Sequence, residues 1–175
     1  MKRQTYLDWN ATAPLRPQAR AAVLAASDIV GNPSSVHSQG RAARRLVERA
    51  REQVAALVGA KPRDVVFTSG GTEANILALT PAIKVDSGKT PRDRLLISSI
   101  EHPSVSCGGR FTQSAIEEIP VNSSGQVDLG HLECRLAKLA ATDNHPLVSI
   151  MLANNETGVI QRLRKRPPWC MRQAV

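Results

Sequence analysis

Three short polar stretches hold the residues able to do chemistry. Ser69-Gly70-Gly71-Thr72-Glu73 sets two glycines and a hydroxyl at the opening of a helix-forming run. Glycines let the backbone turn tightly there, and free N–H groups at a helix start point toward negative charge. The stretch is therefore a candidate cradle for an anion such as phosphate, with Thr72 adding a hydroxyl donor. It lacks the Gly-Lys-Ser/Thr ending of a Walker loop and the spacing of a dinucleotide fingerprint. The same residues also suit a plain tight turn with Thr72 as a helix cap. In Glu101-His102-Pro103 the imidazole of His102 is a candidate proton carrier or stacking partner, although a lone His is often a solvated or core residue. Asn154-Asn155 closes an apolar run. Asn is a poor strand former, so the pair is there for its hydrogen bonds or for an Asx turn. No metal site is expected.

The elements that must position these stretches alternate. An Ala-rich helix is predicted over 18–29 and a long one over 41–58, where Leu46, Ala50, Val54, Leu57 and Val58 recur at helical spacing and Gly59 is the stop. Val65-Val66-Phe67 reads as a short buried strand, followed by the glycine turn and a helix over 74–79. Further strands are expected over 95–100, 116–121 and 147–153, with a helix marked by Leu129, Leu132, Leu136 and Leu139. Strands separated by helices imply an α/β fold with a mostly parallel sheet covered on both faces. In such sheets ligands sit beyond the carboxyl ends of the strands. Each of the three polar stretches is expected to follow a strand.

The 175 residues suffice for one ordinary domain. Apolar residues are 42% and charged residues 22%, which excludes disordered and fibrous classes. Aromatics are only 3%, so the core must be built from Ala, Val, Leu and Ile. No apolar run is long enough for a transmembrane helix or a secretory signal. Cys107, Cys134 and Cys170 are scattered and odd in number, which argues for a reducing, cytoplasmic setting. Nothing near Cys107 or Cys134 looks built to activate a thiol, so both are read as structural. The net charge is +8, but residues 162–175 hold five of those charges and no acid, leaving +3 for residues 1–161. A body at +3 gives no reason to expect a nucleic-acid partner.

Taken together, the blocks resemble the cysteine desulfurases, pyridoxal-phosphate (PLP) enzymes of the class V aminotransferase group. The matching blocks are Tyr6 to Pro14 (YLDWNATAP), Asn32 to Arg44 (NPSSVHSQGRAAR), Phe67 to Asn75 (FTSGGTEAN), Glu101-His102 and Val148 to Gln161 (VSIMLANNETGVIQ). They occur in family order over residues 5–161. The resemblance implies the three-layer α/β/α fold of PLP-dependent transferases. It also implies that Gly71 and Thr72 hold the cofactor phosphate and that His102 stacks on the ring and relays protons. Asn155 would bond the ring's phenolic oxygen near the substrate carboxylate. The implied substrate is L-cysteine, converted to alanine while its sulfur passes to an enzyme cysteine, for iron–sulfur or related cofactor synthesis. A sulfur-acceptor or scaffold protein and a second copy of the chain are the implied partners. Selenocysteine lyases share these blocks and are the alternative within the group. A non-catalytic fragment or partner subunit is the alternative outside it.

Other family blocks are not found in these residues. There is no His-Val-Asp-x-x-Gln block, whose Asp would pair with the ring nitrogen, and no Ser-x-His-Lys block, whose Lys would bond the cofactor covalently. Lys2, Lys61, Lys84, Lys89, Lys138 and Lys165 are not in that context, and the nucleophilic cysteine loop is lacking. The chain alone is therefore expected to be inactive. The resemblance stops after Gln161, where residues 162–175 turn basic and Pro167-Pro168 breaks any helix. One permitted codon choice for that tail, read one base out of frame, yields an Ala-rich helix closed by glycines, as the family would carry next. Residues 162–175 are accordingly expected to be an out-of-frame tail on the N-terminal part of a class V large domain, residues 1–161.

Overall fold

The computed structural model describes residues 5–82 and 91–163. The chain divides into two compact units, Met1–Phe67 and Thr68–Val175. The supposed out-of-frame tail falls, from residue 164 onward, outside the described residues.

The first unit is built on two helices. Helix α1, Pro17–Ser27, starts with a proline, whose missing N–H and fixed φ suit a first turn. Helix α2, Ser38–Val58, starts three residues before its predicted 41 because the His37 side chain caps it, accepting from the Gly40 N–H at 3.2 Å. Gly40 is required by close approach, since a Cβ there would lie 2.4 Å from the Ser35 carbonyl oxygen. Gly59 ends α2 in the left-handed region at φ 68°, and Ala60 N–H then bonds the Ala55 carbonyl. Beyond a 3-10 turn at Pro62–Asp64, the expected buried strand at 65–67 is absent. Among the described residues no strand pairs with this segment. The Arg51 side chain holds it instead, donating to the Val65 carbonyl and lying 4.9 Å over the Phe67 ring. Val66 is 73% exposed and Phe67 48%.

The second unit is organised around strand β1, Arg94–Ser98. It pairs in parallel with β2, Ile116–Ile119, on one side and with β3, Pro146–Ser149, on the other, giving the order β2-β1-β3. The alternation of a strand sends Leu95 and Ile97 to one face and Leu96 to the other. Leu95 and Ile97 pack with Leu79, Val105 and Phe111. Leu96 packs with Ile119, Val127, Leu132 and Leu139. Leu132 and Leu139 lie on helix α5, Leu129–Ala140, which is capped by Asp128 Oδ1 accepting from His131 N–H at 2.9 Å. Leu79 and Val105 belong to the end of helix α3, Gly71–Ala78, and to the short helix α4, Pro103–Ser106. Helical segments thus cover both faces of a parallel sheet, which is the three-layer α/β arrangement expected. Leu95, Leu96 and Ile97 are all but fully buried, and burying three such side chains contributes roughly 5–9 kcal/mol. The core is aliphatic except for Phe111, the one aromatic side chain that joins it among the described residues. Arg135 on α5 grips Glu117 on β2 through both carboxylate oxygens, fixing helix to strand.

The described residues contain three strands where four were expected, and each ends before its predicted limit. The run 147–153 stops as a strand at Ser149. Met151 N–H is taken by a side chain, and an antiparallel bridge between Ala153 and Ile160 folds the chain back. Cys107 and Cys134, read from sequence as structural, are both exposed and lie outside the core. Cys107 does have a local backbone role, its N–H closing α4 onto the Pro103 carbonyl.

Candidate functional site

All four candidate residues fall in the second unit. His102 lies just beyond the carboxyl end of β1, and Asn155 beyond that of the neighbouring β3. The glycine turn does not follow a strand, contrary to expectation, because 65–67 is unpaired.

Gly71 and Thr72 are the first two residues of α3, after Gly70. The first bond within the helix is Ala74 N–H to the Gly70 carbonyl at 3.1 Å. The amides of residues 71–73 therefore have no carbonyl inside the helix to meet. A Cβ built on Gly70 or Gly71 touches nothing within 4 Å, so the approach is open. Glu73 folds back over the turn, and its Oε2 accepts from Ser69 Oγ–H and Ser69 N–H, both at 2.7 Å. The hydroxyl bond first, and then the amide bond, hold its carboxyl below the ordinary 4.5. Ser69 is thereby committed to Glu73. The first-turn amides and the Thr72 hydroxyl are left as the donors an anion would meet.

His102 is the cap of α4. Its Nδ1 accepts from Ser104 N–H at 3.1 Å, which places the proton of the neutral ring on Nε2. Ser104 Oγ lies 2.8 Å from the same Nδ1 and accepts from Asn75 Nδ2 at 2.7 Å. Asn75 is on α3, so a hydrogen-bonded chain runs from the cradle helix to the imidazole. The ring itself is exposed.

Asn154 and Asn155 divide their work. Asn154 is buried, its Oδ1 accepting from the N–H groups of Glu156 and Thr157 at 2.9 and 2.8 Å. Its Nδ2 donates to the Ile100 carbonyl at 2.9 Å. Asn155 is exposed, and its Nδ2 donates to Glu156 Oε1 at 2.8 Å. Glu101 Oε1 accepts from Ser98 Oγ–H and from Met151 N–H, both at 2.6 Å. Sequence reasoning singled out His102 and the Asn154-Asn155 pair, and Asn154 forms the Asx turn it offered for that pair. The bonds of Asn75, Glu101 and Ser104 it missed. For Glu101 the available signal was adjacency to His102.

The donor set fits PLP. First-turn amides and a hydroxyl suit its phosphate, a flat imidazole suits its ring, and a side-chain amide suits its phenolic oxygen. Of the lysines, Lys61 and Lys138 are exposed, while Lys2, Lys84, Lys89 and Lys165 lie outside the described residues. Among the described residues no group of His, Cys, Asp and Glu is placed to hold a metal ion. No described helix is long and apolar enough to cross a membrane. A cavity of ≈ 420 Å³ lies between Asn122, Asp128 and Gln161 and is lined by none of the four candidates.

Comparison with known proteins places the chain in one family. A cysteine desulfurase of Frankia sp. (strain EuIK1) is 40% identical over 167 residues, covering 89% of this chain and 38% of the relative. The human selenocysteine lyase is 36% identical, with 91% and 39% covered. The X-ray structure of a NifS-like protein from Rickettsia africae ESF-5 superposes with a TM-score of 0.73 at 40% identity, covering 89% of this chain and 41% of that one. The chain thus spans about two fifths of the length of these relatives. The aminotransferase class-V family matches residues 5–166, nearly the whole sequence, and the chain belongs to that family of PLP-dependent enzymes.

Proposed function

We propose that this chain is the cofactor-cradling portion of a cysteine desulfurase. The substrate is L-cysteine, the products are L-alanine and a cysteine persulfide, and the sulfur goes on to an acceptor or scaffold protein. The observation that carries the reading is the hydrogen-bonded linkage of the open α3 start to His102 through Asn75 and Ser104. When bound, PLP supplies an electron sink for the substrate's carbanion. The residues of this chain bind and orient. Gly71 and Thr72 hold the phosphate, and the ring of His102, turned by its Nδ1 contacts, presents Nε2–H and an exposed face. Asn155 offers its amide to the phenolic oxygen. We further propose that the active protein is a cytoplasmic homodimer.

The chain alone should bind PLP without covalent attachment and produce no alanine, since no lysine stands in the family's position. Equilibrium dialysis tests the first point. Thr72→Val, His102→Ala and Asn155→Ala should each weaken binding by about tenfold or more, the scale of one lost hydrogen bond to a charged group or one lost ring contact. Wild-type affinity in all three variants would overturn the assignment. Borohydride trapping and peptide mapping test the second point, and one stoichiometrically labelled lysine would refute it.

The human relative supports a second reading, a selenocysteine lyase. Sequencing the gene onward from the codon for Gln161, in all frames, tests whether the Asp, Lys and Cys blocks follow. Assaying the encoded protein with L-cysteine and L-selenocysteine separates the two activities.

A further inference from the structure

The ends of β1 and β3 exchange side chains. Glu101, leaving β1, reaches across to the backbone N–H of Met151 beyond β3 at 2.6 Å. Asn154, beyond β3, reaches back to the backbone carbonyl of Ile100 beyond β1 at 2.9 Å. Each side chain is also anchored on its own side. Glu101 takes the hydroxyl of the buried Ser98 at 2.6 Å, and Asn154 takes the amides of Glu156 and Thr157. The two strands pair only as far as Ile97 and Ser149. Past that point these side chains carry on the connection that the ladder gives up.

We propose that Glu101 and Asn154 form a reciprocal clasp that sets the separation of His102 and Asn155, and so are positioning residues for the cofactor. The proposal rests on the reading of His102 and Asn155 as cofactor-binding residues. Glu101 immediately precedes His102, and Asn154 immediately precedes Asn155. A carboxylate oxygen accepting two hydrogen bonds and an amide using both its ends leave little freedom to the loop between them. Glutamine can keep the accepting oxygen of Glu101, whereas alanine removes it and leaves the Met151 N–H and the Ser98 hydroxyl unpaired.

The test is hydrogen exchange by mass spectrometry on the full chain, which tolerates self-association. Glu101→Ala should speed exchange at least tenfold in the peptide around Glu156 and Thr157, which Glu101 does not touch. Asn154→Ala should do the same around Ser99 and Glu101. Glu101→Gln should stay within about twofold of wild type. Ser98→Ala removes one anchor only and gives a milder form of the same pattern if Glu101→Ala fails to fold. Changes confined to the mutated side, or a glutamine variant as perturbed as the alanine one, would overturn the clasp. In parallel, Glu101→Ala should weaken PLP binding about tenfold and Glu101→Gln should restore it. An unaltered affinity in Glu101→Ala would overturn the positioning role. If the wild-type chain binds no PLP, the cofactor-site reading fails by itself, and exchange alone decides the clasp.

Discussion

Glu73 receives two hydrogen bonds from Ser69 on a single carboxylate oxygen, and both favour its ionised form. A carboxyl whose folded pKa lies below its unfolded 4.5 contributes stability that is fully present above that value and is lost as pH falls through the folded one. Urea titrations between about pH 3 and pH 7 should show a steeper acid loss for wild type than for Glu73→Gln, and parallel curves would refute the role. Asn154 is the other sensitive residue. Replacing it by alanine strips the partners from the amides of Glu156 and Thr157 and should cost about 1–3 kcal/mol in chemical denaturation. At this scale the sequence was only half legible. Gly71, Thr72, His102 and the Asn154-Asn155 pair stood out because their residue types are unusual after apolar runs, and the family resemblance then picked Asn155 from the pair. The bonds that Glu101 and Asn154 make across the strand ends did not stand out, because their partners lie 50 and 54 positions away and no local pattern encodes such a contact.

Helices α2 and α5 were readable from the periodicity of their apolar faces and strand β1 from its short apolar run, since these are local features. The segment 65–67 was not, because an apolar triplet becomes a strand only if another strand pairs with it, and here Arg51 takes that place. Three element-scale outcomes follow. Leu132 joins α5 to the Leu96 face of the sheet and is fully buried, so Leu132→Ala should lower stability by about 2–5 kcal/mol, read from the denaturation midpoint. Gly109 sits at φ 58°, and a Cβ there would lie 2.6 Å from the Leu79 carbonyl oxygen. Gly109→Ala should therefore destabilise by more than about 1 kcal/mol, and a neutral result would contradict the close approach. The hydrogen bonds from Arg135 also hold the Glu117 carboxyl below its ordinary value, so Glu117→Gln should likewise flatten the acid limb.

Across the molecule, large apolar side chains stand in water. Leu7, Val30, Val36 and Leu57 are each more than four-fifths exposed. Single exposed apolar residues are ordinary, but so many in the first unit make a sticky surface. Sedimentation velocity should show association that grows with concentration, and a monodisperse monomer with cooperative unfolding would count against it. The fold class was legible at this scale because strand and helix alternate. The extent of exposed apolar surface was not, since exposure depends on what else the chain packs against. The sheet order has a further consequence during synthesis. Leu96 emerges from the ribosome well before Leu132 and Leu139, the α5 residues that cover its face. At about 5–20 residues per second that lag is roughly 2–9 s. For that interval the most apolar strand of the nascent chain lacks its native cover, so any chaperone bound at the tunnel exit should crosslink most strongly to nascent chains halted when β1 has left the tunnel and α5 has not.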